Sequence, residues 1–247
     1  MKIGIIGNGK VGKSLHEVIQ KKGIKSYTFA RNPKGNGEKH INEIYNLQLE
    51  IIIIAVSDSA IETIAESLSQ LTYKTVVVHV SGATPIDAIQ AHVSNAGVLY
   101  PLQTFISNQN MDWSKIPIFV QASVDKDLEI IYGLANRLSE YVYLSTDEIR
   151  LSLHLSAVLT NNFFTHLGTL AYELLDKYGV EKDVLTPILE RTLHNLTRNS
   201  SDIVQTGPAV RGDKITMQRH LKLINDRHLA HIYESISNSI AHHHAKK

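Results

Sequence analysis

Short apolar runs alternate with helical patterns in the first half of the chain, and this alternation is typical of βαβ units with right-handed crossovers. Seven runs predict β-strands, at residues 2–6, 25–30, 50–56, 76–80, 98–102, 116–120 and 141–144. The consecutive isoleucines at residues 51–54 indicate a strand that is buried on both faces, as in a parallel sheet. The first half is therefore predicted to be an α/β domain with a mainly parallel sheet.

Capping signals mark helices between these strands. Ser59 and Glu62 have the spacing of a capping box, in which each side chain bonds a backbone N–H at the start of a helix. Thr84 and Pro85 supply an N-cap residue and a proline at the first helical position. This pair predicts a helix that extends to residue 93.

The pattern changes after residue 145, where the strand signals end. Apolar positions recur over residues 149–175 and predict one long helix that ends near Lys177. Because this helix is apolar on more than one face, we expect it to lie at the centre of a helical domain. Asp213 and Asp226 are predicted N-caps of two final helices. We therefore predict an α/β domain at residues 1–146 and an all-helical domain at residues 147–247.

Composition and charge exclude several classes of protein. Apolar residues make up 43% and charged residues 20% of the chain, as in globular proteins. The longest apolar run, residues 51–56, is far shorter than the ~20 residues of a membrane span, and the N-terminal run is too short for a secretory signal. The absence of cysteine excludes disulfides and thiolate zinc sites, and a net charge of +1 gives no global attraction to nucleic acid. We expect a cytoplasmic protein that binds neither membranes nor nucleic acids.

A glycine-rich motif follows the first predicted strand and opens the first helix. Its residues are Gly7, Asn8, Gly9, Lys10, Val11 and Gly12, which match the dinucleotide-binding pattern G-x-G-x-x-G. In this pattern the first glycine allows a tight turn, the second lets the backbone approach a pyrophosphate, and the third permits close helix packing. The N-terminus of the helix attracts the anion. An ordinary strand–helix turn is the alternative interpretation.

The end of the second strand bears on the choice of dinucleotide. An NAD site usually has an acidic residue there for the ribose 2′-hydroxyl, whereas this chain has Arg31 and Asn32. Arg31 can bind a 2′-phosphate with two parallel hydrogen bonds. Residues 21–39 contain six Lys or Arg and one Glu, although the whole chain carries only +1. These residues favour NADP(H) as the cofactor; a solvated basic loop is the alternative.

Further candidate contacts lie at the carboxyl ends of later strands, which border the ligand crevice of a doubly wound sheet. Val56 ends the third predicted strand, Ser57 follows it, and Ser81 follows the fourth. Small residues at these ends leave room for a cofactor. Serine at a strand end is also a common helix cap, so both roles stay open.

A second cluster begins with Tyr100, Pro101 and Gln103 after a further predicted strand. The bond before Pro101 is a candidate cis peptide. We expect Tyr100 and Gln103 to point towards the nicotinamide end of the cleft. The alternative is a buried tyrosine beside a turn.

The long helix carries a polar stripe on an otherwise apolar surface. His154 and Asn161 differ by about 20° around the axis of a regular helix, and Asn162 lies about 80° away. Polar side chains on an apolar helix need a cavity or polar partners. His154 is therefore a candidate proton donor, because histidine titrates near neutrality, with a structural core histidine as the alternative.

The segment Thr206-Gly-Pro-Ala-Val-Arg-Gly-Asp213 is a constrained loop that places Arg211 just before a helix. Arg211 suits the binding of a carboxylate or phosphate. His220 follows about two helical turns after Asp213 and is a second candidate substrate contact. A surface arginine and a packing histidine are the alternatives.

Together these motifs resemble a family assigned as NADP oxidoreductases, in which a Rossmann-like domain precedes a largely uncharacterised helical domain. That helical domain is similar to those of 6-phosphogluconate dehydrogenase, ketopantoate reductase and pyrroline-5-carboxylate reductase relatives. The resemblance covers nearly the whole chain and rests on residues 7–12, 30–33, 55–58, 81–82, 101–105, 154, 162, 206–213 and 220. It implies a homodimer formed through the helical domain and an active site between the two domains. Where the family usually has a histidine before Pro101, this chain has Tyr100.

These observations favour a reductase that moves hydride between NADPH and a small carbonyl or imine compound that bears a carboxylate. His154 would donate a proton, Asn162 would hydrogen-bond the reacting oxygen or nitrogen, and Arg211 would bind the carboxylate. Ketopantoate reduction is the most concrete reaction of this class that the family resemblance implies, because some members of the family look like alternative enzymes for that step. The alternative is a non-catalytic NADP-binding sensor or regulatory protein. No metal is expected, because the consecutive histidines at residues 242–244 cannot all face one ion from a helix.

Overall fold

The computed structural model describes residues 1–35, 37–71, 74–106, 111–198 and 205–245. The chain forms two compact units, Met1–Asn162 and Phe163–Lys247. The division between these units falls 16 residues after the predicted domain boundary at residue 146, which stays a prediction. None of the helices in the described ranges combines the length and the apolar character that crossing a bilayer requires.

An eight-stranded sheet forms the centre of the first unit. The strands are β1 (Lys2–Ile6), β2 (Lys25–Ala30), β3 (Lys39–His40), β4 (Ile51–Ile54), β5 (Val76–His79), β6 (Ala96–Pro101), β7 (Ile118–Ala122) and β8 (Val142–Leu144). They lie in the order β3-β2-β1-β4-β5-β6-β7-β8, and only the β6–β7 pair is antiparallel. The predicted α/β fold with a mainly parallel sheet is confirmed. The order of β3 to β6 is that of a dinucleotide-binding Rossmann sheet.

Helices connect the strands and make up the second unit. The α-helices are α1 (Lys10–Lys21), α2 (Ile61–Ser67), α3 (Asp87–Gln90), α4 (Asp125–Leu138), α5 (Asp147–Ala157), α6 (Phe164–Asp176), α7 (Thr186–Arg198), α8 (Pro208–Arg211), α9 (Lys214–Leu223) and α10 (Arg227–Ala245). Short 3-10 helices span Ile41–Asn46, Asp58–Ala60, Trp113–Lys115 and Lys182–Leu185, and a π-helical segment spans Val158–Phe163.

The core of the first unit lies on both faces of the sheet. Because side chains alternate along a strand, Ile51 and Ile53 pack on one face with Leu15 of α1, whereas Ile52 and Ile54 pack on the other. All four isoleucines of β4 are fully buried, as the uninterrupted apolar run predicts. This burial holds β4 at the centre of the sheet, with its carboxyl end beside that of β1.

Two predicted helix starts are wrong. Helix α2 begins only at Ile61, after a 3-10 turn, and no side chain caps it, so the Ser59–Glu62 capping box does not form. Helix α3 begins at Asp87 instead of Pro85 and ends at Gln90. The backbone N–H of Ile86 donates to the Asp147 carboxylate at 3.2 Å, which is a partner that local sequence cannot supply.

The long predicted helix is present as α5, the π-helical segment and α6, and Thr146 caps its start through the Ile149 N–H at 3.3 Å. Its expected central position is wrong. Only Arg150 is buried on α5, and no residue of Phe164–Asp176 is buried. The predicted N-caps are confirmed: Asp213 accepts from the Thr216 N–H at 3.0 Å and Asp226 from the Leu229 N–H at 2.7 Å.

Candidate functional site

The glycine loop between β1 and α1 is packed so closely that two of its positions require glycine. Gly7 has a φ of +106°, and a Cβ atom there would overlap the carbonyl oxygen of Ala55. A Cβ atom on Gly12 would overlap the carbonyl oxygen of Gly7. The first turn of α1 is thereby held against the ends of β1 and β4.

Gly9 differs from these two glycines because a Cβ atom there would meet nothing within 4 Å. It is the N-cap residue of α1, no side chain caps the helix, and the first turn contains no acidic residue. The partial positive charge of a helix N-terminus therefore faces open space. The space is a cavity of about 630 Å³ lined by Gly7, Asn8, Gly9, Lys10, Val11, Ala55, Val56, Ser57, Gln103 and Phe105. This arrangement fits a dinucleotide pyrophosphate.

The loop after β2 carries Arg31 and Asn32, which are both exposed and do not line this cavity. The same loop brings in a carboxylate that sequence reasoning missed. Glu38 accepts from the Lys34 backbone N–H at 2.8 Å and from the side-chain amide of Asn8 in the glycine loop. The hydrogen bond from Lys34, followed by that from Asn8, lowers the pKa of Glu38 below its usual value.

A second cavity of about 580 Å³ adjoins the first, because Val11, Gln103 and Phe105 line both. Its wall contains Asp58, Ser81, Gly82, residues 100–105, and residues of α5 and the π-helical segment up to Asn162. The Ser81 hydroxyl accepts from the backbone N–H groups of Ala83 and Thr84, at 3.1 and 3.0 Å. Ser81 therefore caps this turn as well as lining the cavity.

Tyr100 and His154 meet in the second cavity, although they are 54 residues apart. The Tyr100 Oη atom lies 3.3 Å from His154 Nδ1, and the rings are edge to face at 70°. Tyr100 is only 7% exposed, and this burial raises the pKa of its hydroxyl. A Cβ atom on Gly82 would lie 2.7 Å from Tyr100 Cζ and 2.8 Å from His154 Nδ1, so the pair is packed against a glycine. The bond before Pro101 is trans, because none of the described peptide bonds is cis.

The π-helical segment changes the polar stripe that a regular helix predicts. The angles assigned to Asn161 and Asn162 assumed 100° per residue, which holds only to Ala157. Both asparagines nevertheless line the second cavity with His154. Asn161 donates from Nδ2 to Thr104 Oγ1 at 2.7 Å, which leaves Asn162 as the asparagine with an exposed side chain. π-Helical turns are frequent at functional sites.

The second compact unit contains the other two candidate residues. Arg211 is the last residue of α8 and is followed by Gly212 in the left-handed conformation, with a φ of +66°. His220 Nδ1 lies 2.8 Å from the hydroxyl of Tyr233, a residue that sequence reasoning missed. The Gly-Pro-Ala-Val-Arg-Gly-Asp segment is therefore a short helix and a capped turn.

A buried histidine behind the second cavity was also missed. His79, at the end of β5, is fully buried, and its Nδ1 accepts from the Ser81 backbone N–H at 3.2 Å. Nε2 has no hydrogen-bond partner within the part of the chain that the structure describes. Burial, followed by the nearby charge of Arg150, lowers the pKa of His79 to about 4. His79 is therefore neutral in the folded protein at pH 7.

The free energy of unfolding is expected to fall as the pH is lowered from 6.5 to 4. Over this range His79 takes up a proton in the unfolded chain, where its pKa is near 6.5, and not in the folded one. The loss from this residue reaches about 3 kcal/mol near pH 4, at 1.36 kcal/mol per unit. Urea unfolding at a series of pH values measures it. His79→Asn, which keeps an acceptor for the Ser81 N–H, should flatten the dependence, and an unchanged slope would contradict the assignment. His166→Asn is the control for replacing a histidine as such.

No group of three or more histidine, aspartate or glutamate side chains among the described residues is arranged to hold a metal ion. The site is thus a glycine loop beside a cavity that contains a tyrosine–histidine pair. A mostly parallel sheet with an N-terminal glycine loop and a helical C-terminal region defines a Rossmann-like dinucleotide-binding fold.

Residues 116–240 match the model of a family described as Domain of unknown function (DUF2520), and the chain belongs to this family. A crystal structure of a provisionally assigned NADP oxidoreductase from Bacteroides fragilis is 30% identical, with a TM-score of 0.87 over 98% of each chain. No match was found among curated proteins.

More distant solved structures share the fold alone. An imine reductase from Myxococcus stipitatus, in complex with NADP+, is 13% identical, with a TM-score of 0.65 over 98% of this chain and 92% of that one. The pyrroline carboxylate reductase of Plasmodium falciparum, with NADP bound, is 12% identical, with a TM-score of 0.59 over 98% of each chain. The resemblance to assigned NADP oxidoreductases is confirmed, and the resemblance to relatives of pyrroline-5-carboxylate reductase is confirmed for the fold.

Proposed function

We propose that the protein is an NADP-dependent oxidoreductase that transfers hydride between NADPH and a small carbonyl or imine compound that bears a carboxylate. One observation carries this proposal: the cavity in front of Gly9 adjoins the cavity that contains Tyr100 and His154. A dinucleotide bound at the first would extend towards a proton donor in the second. The name of the Bacteroides fragilis relative, an NADP oxidoreductase, supports the same assignment.

The residues at the first cavity suit the dinucleotide. The glycine loop and the N-terminus of α1 would bind the pyrophosphate, and Val56, Ser57 and Ser81 would line the path of the cofactor towards the second cavity. Arg31 and Asn32 would bind the 2′-phosphate. When bound, the nicotinamide supplies or accepts the hydride, so the protein itself needs to orient the substrate and manage one proton.

The Tyr100–His154 pair suits this proton transfer. His154 is less buried than Tyr100, so we assign the contact with substrate to His154 and the support of its ring to Tyr100. Asn162 lines the same cavity with an exposed side chain and would hydrogen-bond the reacting oxygen or nitrogen. Gln103 lines both cavities and would contact substrate where they adjoin.

Recognition of a carboxylate needs a cation that the second cavity does not supply. Neither lysine nor arginine is among its described lining residues, and its acidic residue is Asp58. The assignment of Arg211 and His220 to substrate binding rests on the sequence alone. Arg211→Ala is expected to raise the KM for a keto acid far more than it lowers kcat, as measured by steady-state kinetics.

A screen of keto acids and cyclic imino acids for NADPH oxidation tests the reductase assignment. Ketopantoate and pyrroline-5-carboxylate belong in the screen as representatives of the two substrate types. Turnover of any of these compounds supports a reductase and excludes a non-catalytic sensor. Tight NADPH binding without turnover of any compound would contradict the assignment and favour the sensor.

The protein is expected to bind NADPH at least tenfold more tightly than NADH at low ionic strength. A charge-assisted contact with the 2′-phosphate is worth about 1.5–3 kcal/mol, or roughly ten- to a hundredfold in affinity. Salt screens this contact, so the difference in affinity between NADPH and NADH should become smaller as salt is added. Arg31→Ala should remove most of the preference and leave the Kd for NADH nearly unchanged, as measured by fluorescence titration.

Glu38 provides the matched control because it places a carboxylate in the same loop, hydrogen-bonded to Asn8. Glu38→Gln removes a negative charge near the proposed 2′-phosphate. It should therefore increase the ratio of the affinity for NADPH to the affinity for NADH. Equal binding of NADPH and NADH by the unmodified protein would overturn the assignment. A parallel loss of NADH binding in Arg31→Ala would make Arg31 a structural residue.

The helical region suits a homodimer. Its helices expose apolar side chains that a single chain leaves uncovered, namely Ile149, Leu151, Leu155, Leu159, Phe163, Phe164, Ile188, Leu193 and Leu196. Apolar exposure on this scale marks an interface, and a second copy would present the same residues about a twofold axis. Sedimentation equilibrium should give twice the mass of the chain, and a monomer at micromolar concentration would contradict this proposal.

A further inference from the structure

Arg150, in the first turn of α5, is only 1% exposed, and the function described so far does not use it. Arginine is almost never fully buried unless it is paired, because removing its charge from water is unfavourable. The burial of Arg150 must therefore be compensated by hydrogen bonds or by an ion pair.

The guanidinium of Arg150 joins three elements of the first unit. Nη1 donates to Gln121 Oε1 of β7 at 2.5 Å, and Nη2 donates to Asp147 Oδ1 at 2.7 Å and to the carbonyl oxygen of Thr84. The Asp147 carboxylate also accepts from the backbone N–H of Ile86. These bonds hold the start of α5 against the loop that follows β5.

The loop after β5 and helix α5 both position the pair formed by Tyr100 and His154. Gly82 belongs to the loop and packs against the rings of both Tyr100 and His154. His154 lies four residues after Arg150, on the same face of α5. A rotation or shift of α5 would therefore separate His154 from Tyr100, and the bonds of Arg150 oppose such a movement.

The charge of Arg150 also acts on the Tyr100 hydroxyl. The ionisable groups around this hydroxyl are His154 and Arg150 of α5 and Asp58 after β4. Burial raises the pKa of Tyr100, the positive charge of Arg150 opposes that rise, and the negative charge of Asp58 adds to it. Behind the pair, His79 is neutral and contributes no charge at pH 7.

We propose that Arg150 is a positioning residue for proton transfer, which holds His154 against Tyr100 and stabilises the Tyr100 oxygen when its proton leaves. This inference rests on the proposed function. As hydride from NADPH reaches the substrate carbon, the N–H bond at His154 Nε2 breaks and the proton bonds to the substrate oxygen or nitrogen. The Tyr100 proton moves to His154 Nδ1, and the oxygen keeps the electron pair. Nδ1 later returns this proton to the oxygen while a water molecule gives a proton to Nε2 and leaves as hydroxide.

A first test needs no substrate. Protein labelled with [13Cζ]tyrosine is titrated by NMR, and the Tyr100 resonance is assigned from the Tyr100→Phe variant. In Arg150→Met the Tyr100 resonance should titrate at higher pH than in the unmodified protein, whereas Arg150→Lys, which keeps the charge, should show a smaller shift. An unchanged or lowered titration in Arg150→Met would overturn the electrostatic role. If Arg150→Met does not fold, Arg150→Gln takes its place.

A second test uses turnover with a substrate identified by the screen. Arg150→Met should lower kcat at least a hundredfold and move the alkaline limb of the kcat–pH profile upwards, with the Kd for NADPH within twofold of its original value. Arg150→Lys should recover at least a tenth of the original kcat. In the Tyr100→Phe background the loss of kcat caused by Arg150→Met should be smaller than in the unmodified protein, because only the support of His154 is then removed.

The outcomes separate this inference from the function on which it rests. Equal loss of kcat in both Arg150 variants, with an unchanged pH profile and additive effects in the Tyr100→Phe background, would make Arg150 a purely structural residue. The unmodified protein would remain an active reductase in that case. Failure of the unmodified protein to oxidise NADPH with any compound would instead reject the proposed function.

Discussion

Turnover with NADPH is expected to fall by about a hundred- to ten-thousandfold when His154 is replaced by alanine. His154 lines the second cavity, and its Nδ1 atom lies 3.3 Å from the Tyr100 hydroxyl. Without the imidazole no positioned group gives a proton to the substrate as hydride arrives. Because His154 does not line the cavity in front of Gly9, the Kd for NADPH should change little. Steady-state rates and fluorescence titration measure the two quantities separately.

Tyr100→Phe is the companion variant, because it keeps the ring against Gly82 and removes only the hydroxyl. It should lower kcat less than His154→Ala, since His154 keeps its own proton for one transfer. His166→Ala, at an exposed position of α6, controls for the loss of a histidine elsewhere. Unchanged turnover in His154→Ala would reject the assignment of His154 as the acid. A larger loss in Tyr100→Phe than in His154→Ala would give the substrate contact to Tyr100.

Gly9→Ala is expected to weaken NADPH binding at least tenfold while the protein still folds. A Cβ atom on Gly9 meets no protein atom within 4 Å and would enter the space assigned to the pyrophosphate. The free energy of unfolding should change by no more than about 1 kcal/mol, because Gly9 is an N-cap residue with an ordinary φ of −72°. Isothermal titration and urea unfolding provide the two measurements.

Gly7→Ala, in contrast to Gly9→Ala, should act mainly by lowering the free energy of unfolding. Its positive φ alone costs about 1–3 kcal/mol with a side chain present, and the overlap with the Ala55 carbonyl adds to this. We expect a destabilised or unfolded protein. Gly133→Ala is the matched control, because Gly133 lies within α4 and a Cβ atom there meets nothing within 4 Å. Normal NADPH binding by Gly9→Ala would contradict the position assigned to the pyrophosphate.

The fold and the glycine loop were predictable because their causes are local. Alternation of apolar and polar residues reports which faces of a strand are buried, and the four isoleucines of β4 are buried as predicted. The glycine motif is read from spacing alone, since the turn and the close packing involve residues within one strand–helix unit. Asp213 and Asp226 were predictable caps for the same reason.

The structural features that the sequence did not predict depend mostly on contacts between residues far apart in the chain. Arg150 carries a charge and so resembles a solvent-exposed helix residue, yet bonds to Thr84 and Gln121 make its burial possible. Glu38 lies outside any motif and reaches the glycine loop only because the loop after β2 folds back. No sequence pattern marks the π-helical segment. The angles predicted for Asn161 and Asn162 from a regular helix are therefore wrong, because the regular helix ends at Ala157.

By itself, the sequence determined the class of fold, the glycine loop after β1 and the basic segment after β2, because each is encoded within a few dozen consecutive residues. Only the tertiary structure decided that Tyr100 meets His154 and that Arg150 is buried with a hydrogen bond to the Thr84 carbonyl, since these contacts span 54 and 66 residues along the chain. It also decided that the apolar helix residues are uncovered in the single chain. The periodicity of apolar residues shows that one face of a helix is apolar, whereas only three-dimensional packing determines which surface covers that face.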